Sequence, residues 1–520
     1  MALDDKRLDK LVALVRDSFR VRENHDPIYV EIGDHLSRVK SDQHQVIFGR
    51  RGSGKSCLLV HFHRHGEKGG GFSVYVSADE VKTLSYPDVL IRLLLIIFKG
   101  IPVRGSLWDK IRRRSPLKEE IRKLQQLLDR ADSEAVKEER GRTRDRRADV
   151  GGTAGPLDLK GSAGRTDTYA RSSEFREEKL DYLERHLRDY KDAIIAALGD
   201  AGTRGTLIVD DFYLVHPSVQ PDVADYLHRL VRGTDLYLKI GTVRHRTTLA
   251  RQNGQTIGVE LYQDVEAIDL DHTFEDVDAT HAYLAKMLDS MGQQVGVSSA
   301  SEEYLSTDGL FALTLASGGV PRDYLTIFVE AVKAARDGGA TKWLTPKWIY
   351  RGAARVSYRT KLTQLRADAG TDASALEPVF QDLLGFTLEE KRKTAFLVAE
   401  RDARDRPEEH ELIKQLMDFK LIHVVEPDTS AASGREGRYE AYTLDFSFFM
   451  EPRLRGIEHV EFWRTDEQRR RLGVREAPVY ELERVRAVRA GAQPVDSTEA
   501  VVEEIAESLG EEPEGDDDDS

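Results

Sequence analysis

Eight consecutive residues, Gly49-Arg50-Arg51-Gly52-Ser53-Gly54-Lys55-Ser56, have the types and spacing of a loop that holds phosphate. The glycines let backbone N–H groups converge on one point. Lys55 is placed to reach β- and γ-phosphates, and the Ser56 hydroxyl suits Mg²⁺. The flanks agree: Gln45-Val46-Ile47-Phe48 reads as a strand, and Cys57 to Phe62 reads as the first turns of a helix. A helix N-terminus there adds partial positive charge where an anion would sit. Cys57 directly follows Ser56; its position puts it with the nucleotide-binding residues, and its side chain is expected to pack in the core.

Three further groups fit the same chemistry. Asp210 and Asp211 end the apolar run Leu207-Ile208-Val209. A carboxylate at such a strand end can hold Mg²⁺, here Asp210, and the next can orient or deprotonate water, here Asp211. Thr242 and Arg244 follow the strand-like stretch Leu236–Thr242; either can read the γ-phosphate, and Arg244 can stabilise its charge. In Gly318-Gly319-Val320-Pro321-Arg322 the glycines stop one helix and Pro321 starts the next. Those roles leave Arg322 unexplained, at the place where a lid helix approaches phosphates. His61 and His65 stand at i,i+4, a spacing that can bind a metal, but the sequence offers no third ligand. Trp343, Trp348 and Trp463 read as core or interface aromatics.

The elements that must position these groups alternate between strand and helix. Residues 1–26 read as an amphipathic helix with Leu8, Leu11, Val12, Val15 and Phe19 on one face. Ile28–Ile32 reads as a strand or a pocket segment. Phe72–Val76, Thr206–Asp211, Leu236–Thr242 and Val265–Leu270 are further strand candidates. Strands alternating with helices predict a parallel sheet covered on both faces. The gap between Val76 and Thr206 implies an insertion, about 103–172, with a helical heptad-like stretch (Leu117, Ile121, Leu124, Leu127, Leu128) and then arginine- and glycine-rich segments. Glu174–Leu198 reads as a long helix on the core. The expected divisions are an N-terminal helix (1–26), an ATPase-type core (27–270), a helical lid (271–366), a winged-helix-like unit (375–465) and a tail (466–520) that is acidic and disordered from about 495. In the winged unit, helices are expected over Leu388–Arg401 and Glu408–Phe419, followed by paired strands at Leu421–Val425 and Tyr439–Leu444.

Composition narrows the setting. The chain has 520 residues, a formal charge of −14 and a single cysteine. That excludes a disulfide framework and a cysteine-based zinc site. A reducing cytoplasm is the natural setting for a chain with one cysteine, and no run reaches the ~20 apolar residues of a membrane span, so no membrane contact is expected. The negative charge argues against general DNA coating.

Taken in order, Gly49–Ser56, Leu207–Asp211, Gly241–Arg244 and Gly318–Arg322 resemble AAA+ ATPases over about residues 27–365. The likeness is greatest to the branch shared by origin-recognition and STAND signalling ATPases. It implies an α/β P-loop fold with a parallel sheet, a helical lid and a C-terminal winged helix-turn-helix. It also implies ATP and Mg²⁺ as ligands, with Pro321 or Arg322 reading the nucleotide. Two departures stand out: Asp211 replaces the glutamate usual in vigorous hydrolases, as in slow, switch-like members, and the long insertion is not a standard part. The resemblance further implies double-stranded DNA, a protein partner or self-association as the target of the winged unit, and mobile-element or phage-defence systems as a setting. For DNA, the basic residues available are Arg435, Arg438, Lys414 and Lys420. A ring-forming motor would need an intersubunit arginine, for which Arg351 and Arg355 are candidates. A scaffold that binds nucleotide without turnover is the third reading.

Overall fold

In a computed structural model of the protein, the described residues are 2–21, 23, 26–31, 33–65, 71–102, 117–129, 163–198, 204–368, 373–432, 436–449 and 456–491. The N-terminal helix α1 spans Lys6–Ser18, capped by the Asp5 carboxylate, which accepts from Arg7 N–H. The α/β core follows with α2 (His35–Val39), β1 (Gln45–Phe48), α3 (Lys55–His65), β2 (Phe72–Ser77), α4 (Asp88–Gly100), α5 (117–129), α6 (Ala163–Leu198), β3 (Gly205–Asp210), α7 (Gln220–Val231), β4 (Leu236–Thr242), a small hairpin β5 (Ala250–Asn253) and β6 (Gln255–Gly258), and β7 (Glu266–Asp269).

The main sheet has the order β2-β3-β4-β1-β7, and every pairing is parallel. Alternation along the strands splits the core. Val46, Phe48, Leu207 and Val209 face the layer of α4 to α7, whereas Ile47, Ile208 and Ile268 face α2 and α3. Within the insertion, α5 packs on this core through Leu117 and Leu124, next to Leu183 and Tyr190 of α6. The arginine-rich (140–147) and glycine-rich stretches lie outside the described residues.

The lid comprises α8 (Val277–Gln294), α9 (Ala300–Tyr304), α10 (Thr307–Ala316), α11 (Pro321–Asp337) and α12 (Pro346–Asp368). The helix expected at the N-terminus is not a separate unit. Leu8, Leu11 and Val15 of α1 are buried in the lid core with Leu284, Leu288, Phe328 and Val332. Trp348 joins that core, whereas Trp343 is half exposed.

The C-terminal unit runs α13 (Ala373–Leu384), a π-helical turn, β8 (Ala395–Ala399), α14 (Glu400–Asp405), α15 (Pro407–Asp418), β9 (Ile422–Thr429), β10 (Tyr439–Leu444) and α16 (Leu482–Arg489). Helix, strand, two helices and a strand pair, with an antiparallel sheet ordered β8-β10-β9, is the element order of a winged helix. Two expectations are corrected here. The helix expected over Leu388–Arg401 is instead a π-helical end at Gly385–Glu390 followed by β8. Phe396, Leu397 and Val398 are fully buried, and a short apolar run buried on both faces carries no period that separates strand from helix. Nor does the unit end at 465. Val474, Tyr480, Leu482 and Val485 are buried in its core, and the Tyr480 hydroxyl donates to Asp382 Oδ2 at 2.7 Å. The acidic end beyond 491 lies outside the described residues.

Candidate active site

Parallel strands place their C-terminal ends on one edge, where open α/β sheets hold ligands. β1 delivers the phosphate loop there, between β4 and β7. Gly52 and Gly54 take φ of +91° and +101°, conformations that favour glycine. Lys55 opens α3 and is 5% exposed; its ammonium donates to Gly49 O (2.5 Å) and Arg50 O (3.0 Å). Burial holds its pKa below the usual lysine value, with Asp271, Asp210 and Asp211 opposing. Ser53 Oγ is buried with no hydrogen-bond partner, which leaves one donor of the loop unused.

The loop forms one wall of a cavity of about 530 Å³, onto which Arg51 to Cys57, Asp211, Pro321 and Arg322 all face. The lining also draws apolar side chains from three further segments: Phe19 beyond α1, Tyr29 before α2, and Tyr283 and Met287 on α8. Ile28 to Val30 is thus a pocket segment, the second of its two expected forms. Cys57 sits at its edge; the thiol donates to Ile28 O (3.4 Å), and burial pushes its pKa up to about 12, which leaves it unreactive.

Asp211 lines the cavity in a left-handed backbone conformation (φ +53°). Such strain in a non-glycine residue marks a site worth inspecting. Burial pushes its carboxyl up to about 6, aided by Asp210 and opposed by Lys55. Asp210 is 1% exposed behind it. Its Oδ1 accepts from Asp211 N–H (2.8 Å) and its Oδ2 from the Tyr75 hydroxyl (2.7 Å). Gly241 makes room for this carboxylate: a Cβ there would lie 2.6 Å from Asp210 Oδ1. Ser56 and the Asp210–Asp211 pair are hard oxygen donors suited to Mg²⁺, and the orphaned Ser53 hydroxyl and buried Lys55 suit the phosphates it would accompany.

The lid touches the loop directly. Arg322 N–H donates to Gly52 O (3.3 Å), and a Cβ on Gly52 would lie 2.9 Å from Arg322 Cβ. The Arg322 guanidinium donates to Phe19 O (3.0 Å), and burial with Arg51 nearby lowers its pKa. Pro321 and Arg322 therefore sit on the cavity wall.

Three expected residues point elsewhere. Arg50 does not join the cradle: its N–H donates to Asp271 (2.8 Å), and its guanidinium to His272 O (2.9 Å), Gly318 O (3.3 Å) and His423 Nδ1 (3.1 Å). Thr242 is fully buried, its hydroxyl 2.5 Å from that of Thr247. Arg244 pairs with Asp269 (2.9 Å) and lies 4.0 Å above the Phe48 ring. Thr242 and Arg244 are both off the cavity wall.

The same junction contains residues the sequence did not single out. His423 on β9 hydrogen-bonds Asp445 (2.8 Å), which pairs with Lys361 of α12 (2.5 Å). Asp418, at the end of α15, accepts from His245 N–H (3.0 Å). Lys420, considered for DNA, is buried and pairs with Asp323 of α11 (2.8 Å). Arg438 pairs with Asp428, Lys414 is half-buried, and Arg435 lies outside the described residues. Arg351 stacks on Trp348, and Arg355 pairs with Asp337 (3.5 Å).

No protein-family model and no curated protein matches the sequence. Several solved structures are similar at low identity. Cdc6p from Pyrobaculum aerophilum is 12% identical over 95% of this chain and 98% of its own, with a TM-score of 0.32. The ORC2 protein of Aeropyrum pernix, in ADPNP–ADP complexes, is 10% identical over 95% and 99%, with a TM-score of 0.40. A Walker-type ATPase of Pyrococcus abyssi is 11% identical over 84% and 92%, with a TM-score of 0.35. Among the described residues no helix is long and apolar enough to cross a membrane.

Proposed function

We propose that this protein is an ATP-binding and ATP-hydrolysing switch of the AAA+ kind whose winged unit is released by events at the nucleotide site. The observation that carries it is one cavity onto which the phosphate loop, Asp211 and the lid residue Arg322 all face. Each has a distinct task. The loop amides from Arg51 to Ser56 and the Lys55 ammonium bind the phosphates. Ser56 and Asp210 would hold Mg²⁺, which would supply charge neutralisation at the phosphates. Asp211 takes a proton from, or orients, the attacking water. The apolar lining around Tyr29 and Tyr283 receives the base, and Arg322 links occupancy of the loop to the position of α11. Thr242 and Arg244 would act from behind the cavity by holding the ends of β1 and β4.

In this arrangement the winged unit is closed on the core. α15 packs near residues 244–246, with Arg246 5.2 Å from the Phe419 ring and Glu411 paired with His245 (3.2 Å). A helix so engaged is not free for duplex DNA or a protein partner, so target binding requires opening. The expected experiment is ATP hydrolysis by purified protein, with and without duplex DNA, beside Lys55→Ala and Asp211→Asn. Turnover lost in both variants supports the switch. Tight ATP binding with no turnover under any condition replaces it with a nucleotide-binding scaffold.

A further inference from the structure

The segment that forms one wall of the cavity also meets a pair of histidines. His61 and His65 stand one turn apart on α3, so their rings project on one face. Asp26, at the start of the wall segment, faces both. One ligating atom from each of the three residues lies within 4.8 Å of the other two. Asp26 Oδ2 is 2.8 Å from His65 Nε2, and Oδ1 is 3.6 Å from His61 Nδ1. That nitrogen is buried and has no hydrogen-bond partner. The Tyr29 ring stacks on His61 at 4.9 Å and 23°, which fixes the plane of the imidazole. His63, between them in sequence, belongs to a different cluster: its Nδ1 is 2.7 Å from Ser73 Oγ and its Nε2 is 3.8 Å from Glu23.

We propose that Asp26, His61 and His65 form a binding site for a divalent transition ion of the zinc class. Two imidazole nitrogens and one carboxylate oxygen are a common set for such an ion, leaving a fourth position for water. Ligand atoms around tetrahedral zinc lie about 3.3 Å apart, so the three groups need only side-chain rotation to close on it. His65 and Asp26 are about half exposed, which gives the ion a way in. A hydrogen bond accounts for His65 and Asp26 but leaves His61 Nδ1 at 3.6 Å from Asp26, in ion-pair range and beyond hydrogen-bond reach; a metal ion satisfies all three. Occupancy would staple the wall segment, which carries Tyr29, to the helix that begins at Lys55. The site is separate from the Mg²⁺ position proposed at Ser56 and Asp210.

The test is calorimetric titration of ZnCl₂ into the nucleotide-free full-length chain, with Co²⁺ absorption as a second readout. Wild type and His63→Ala are expected to bind one equivalent, with a Co²⁺ spectrum of a four- or five-coordinate ion. His65→Ala and Asp26→Asn should each weaken binding by at least about tenfold, and His61→Ala/His65→Ala should abolish it. Zn²⁺ should raise the melting temperature of wild type and not of the double variant, whose far-UV circular dichroism reports whether it folds. Unchanged binding in the single variants at His65 and Asp26, or no binding by wild type, overturns the proposal.

Discussion

Arg50 of the phosphate loop donates from Nη1 to Nδ1 of His423 in the winged unit, across 3.1 Å. An arginine cannot accept, so Nδ1 carries no proton, and Nε2–H donates to Asp445 at 2.8 Å. His423 is therefore neutral. Burial holds its pKa down at about 4, with Asp445 opposing, and Lys361 with His423 keeps the Asp445 carboxyl well below its usual range. Loop, winged unit and lid helix are thus joined in a chain of two hydrogen bonds, Arg50 to His423 and His423 to Asp445, and the Asp445–Lys361 ion pair.

His423→Ala breaks that chain and leaves a buried guanidinium short of a partner, at a cost of about 1–3 kcal/mol. Hydrogen exchange is the measurement. Both β9 and residues 50–56 are expected to exchange faster in the variant, because the bond joins them. Faster exchange confined to β9 would show that the loop does not feel the winged unit.

His423 has a depressed folded pKa, so it contributes stability that is present above its unfolded value near 6.5 and is lost as pH falls through about 4. Asp418 has the opposite sign. Burial raises its carboxyl from 3.8 to about 7, with Asp271 adding to the shift. Its contribution is full below pH 3.8 and is lost as pH rises through 7. Asp418→Asn keeps an oxygen for His245 N–H and removes the charge. Equilibrium unfolding should therefore find the variant more stable than wild type at pH 8, by on the order of 1–3 kcal/mol, and no more stable near pH 4.

Asp211 should set the acid limb of hydrolysis. With its carboxyl raised to about 6, the basic form fills in between pH 5 and 7, and kcat should rise over that range. Asp211→Asn should lower kcat by about 10²-fold or more, remove that limb and leave ATP binding within a few-fold of wild type. Lys55→Ala should instead weaken ATP binding itself. Fluorescent-nucleotide titration beside the pH–rate profile separates the two.

The phosphate loop, the Asp pair and the strands that carry them were legible because their chemistry is local: fixed spacing, an apolar run before, a helix after. Arg50 and Lys420 were not. Each reads as a loop or surface cation, yet each is buried against a partner at least 97 positions away, His423 for one and Asp323 for the other. The third ligand-type residue near His61 and His65 was hidden for the same reason, since Asp26 lies 35 positions before His61 and joins it only when the wall segment folds back on α3. β8 was misread because burial on both faces erases period. In Gly318–Arg322 the helix stop and restart were legible, but the reason for glycine at 318 was not.

That reason gives a last prediction. Gly318 and Gly319 have φ of +59° and +75°. The conformation alone favours glycine, and alanine in it costs about 1–2 kcal/mol. Gly318 carries a second constraint, because a Cβ there would run into the His423 ring. His423 cannot yield cheaply, being held by Arg50 on one side and Asp445 on the other. At Gly319 the obstacle is the His272 carbonyl, 2.5 Å from a built Cβ, and no part of the winged unit. Both alanine variants should lose stability, but only Gly318→Ala should also detach the winged unit. Limited proteolysis of the two, read as cleavage between the lid and the winged unit at matched stability, is the check. Combining Gly318→Ala with His423→Ala should recover part of the loss, since removing the ring removes the clash; additive losses would mean that the two residues do not meet in solution.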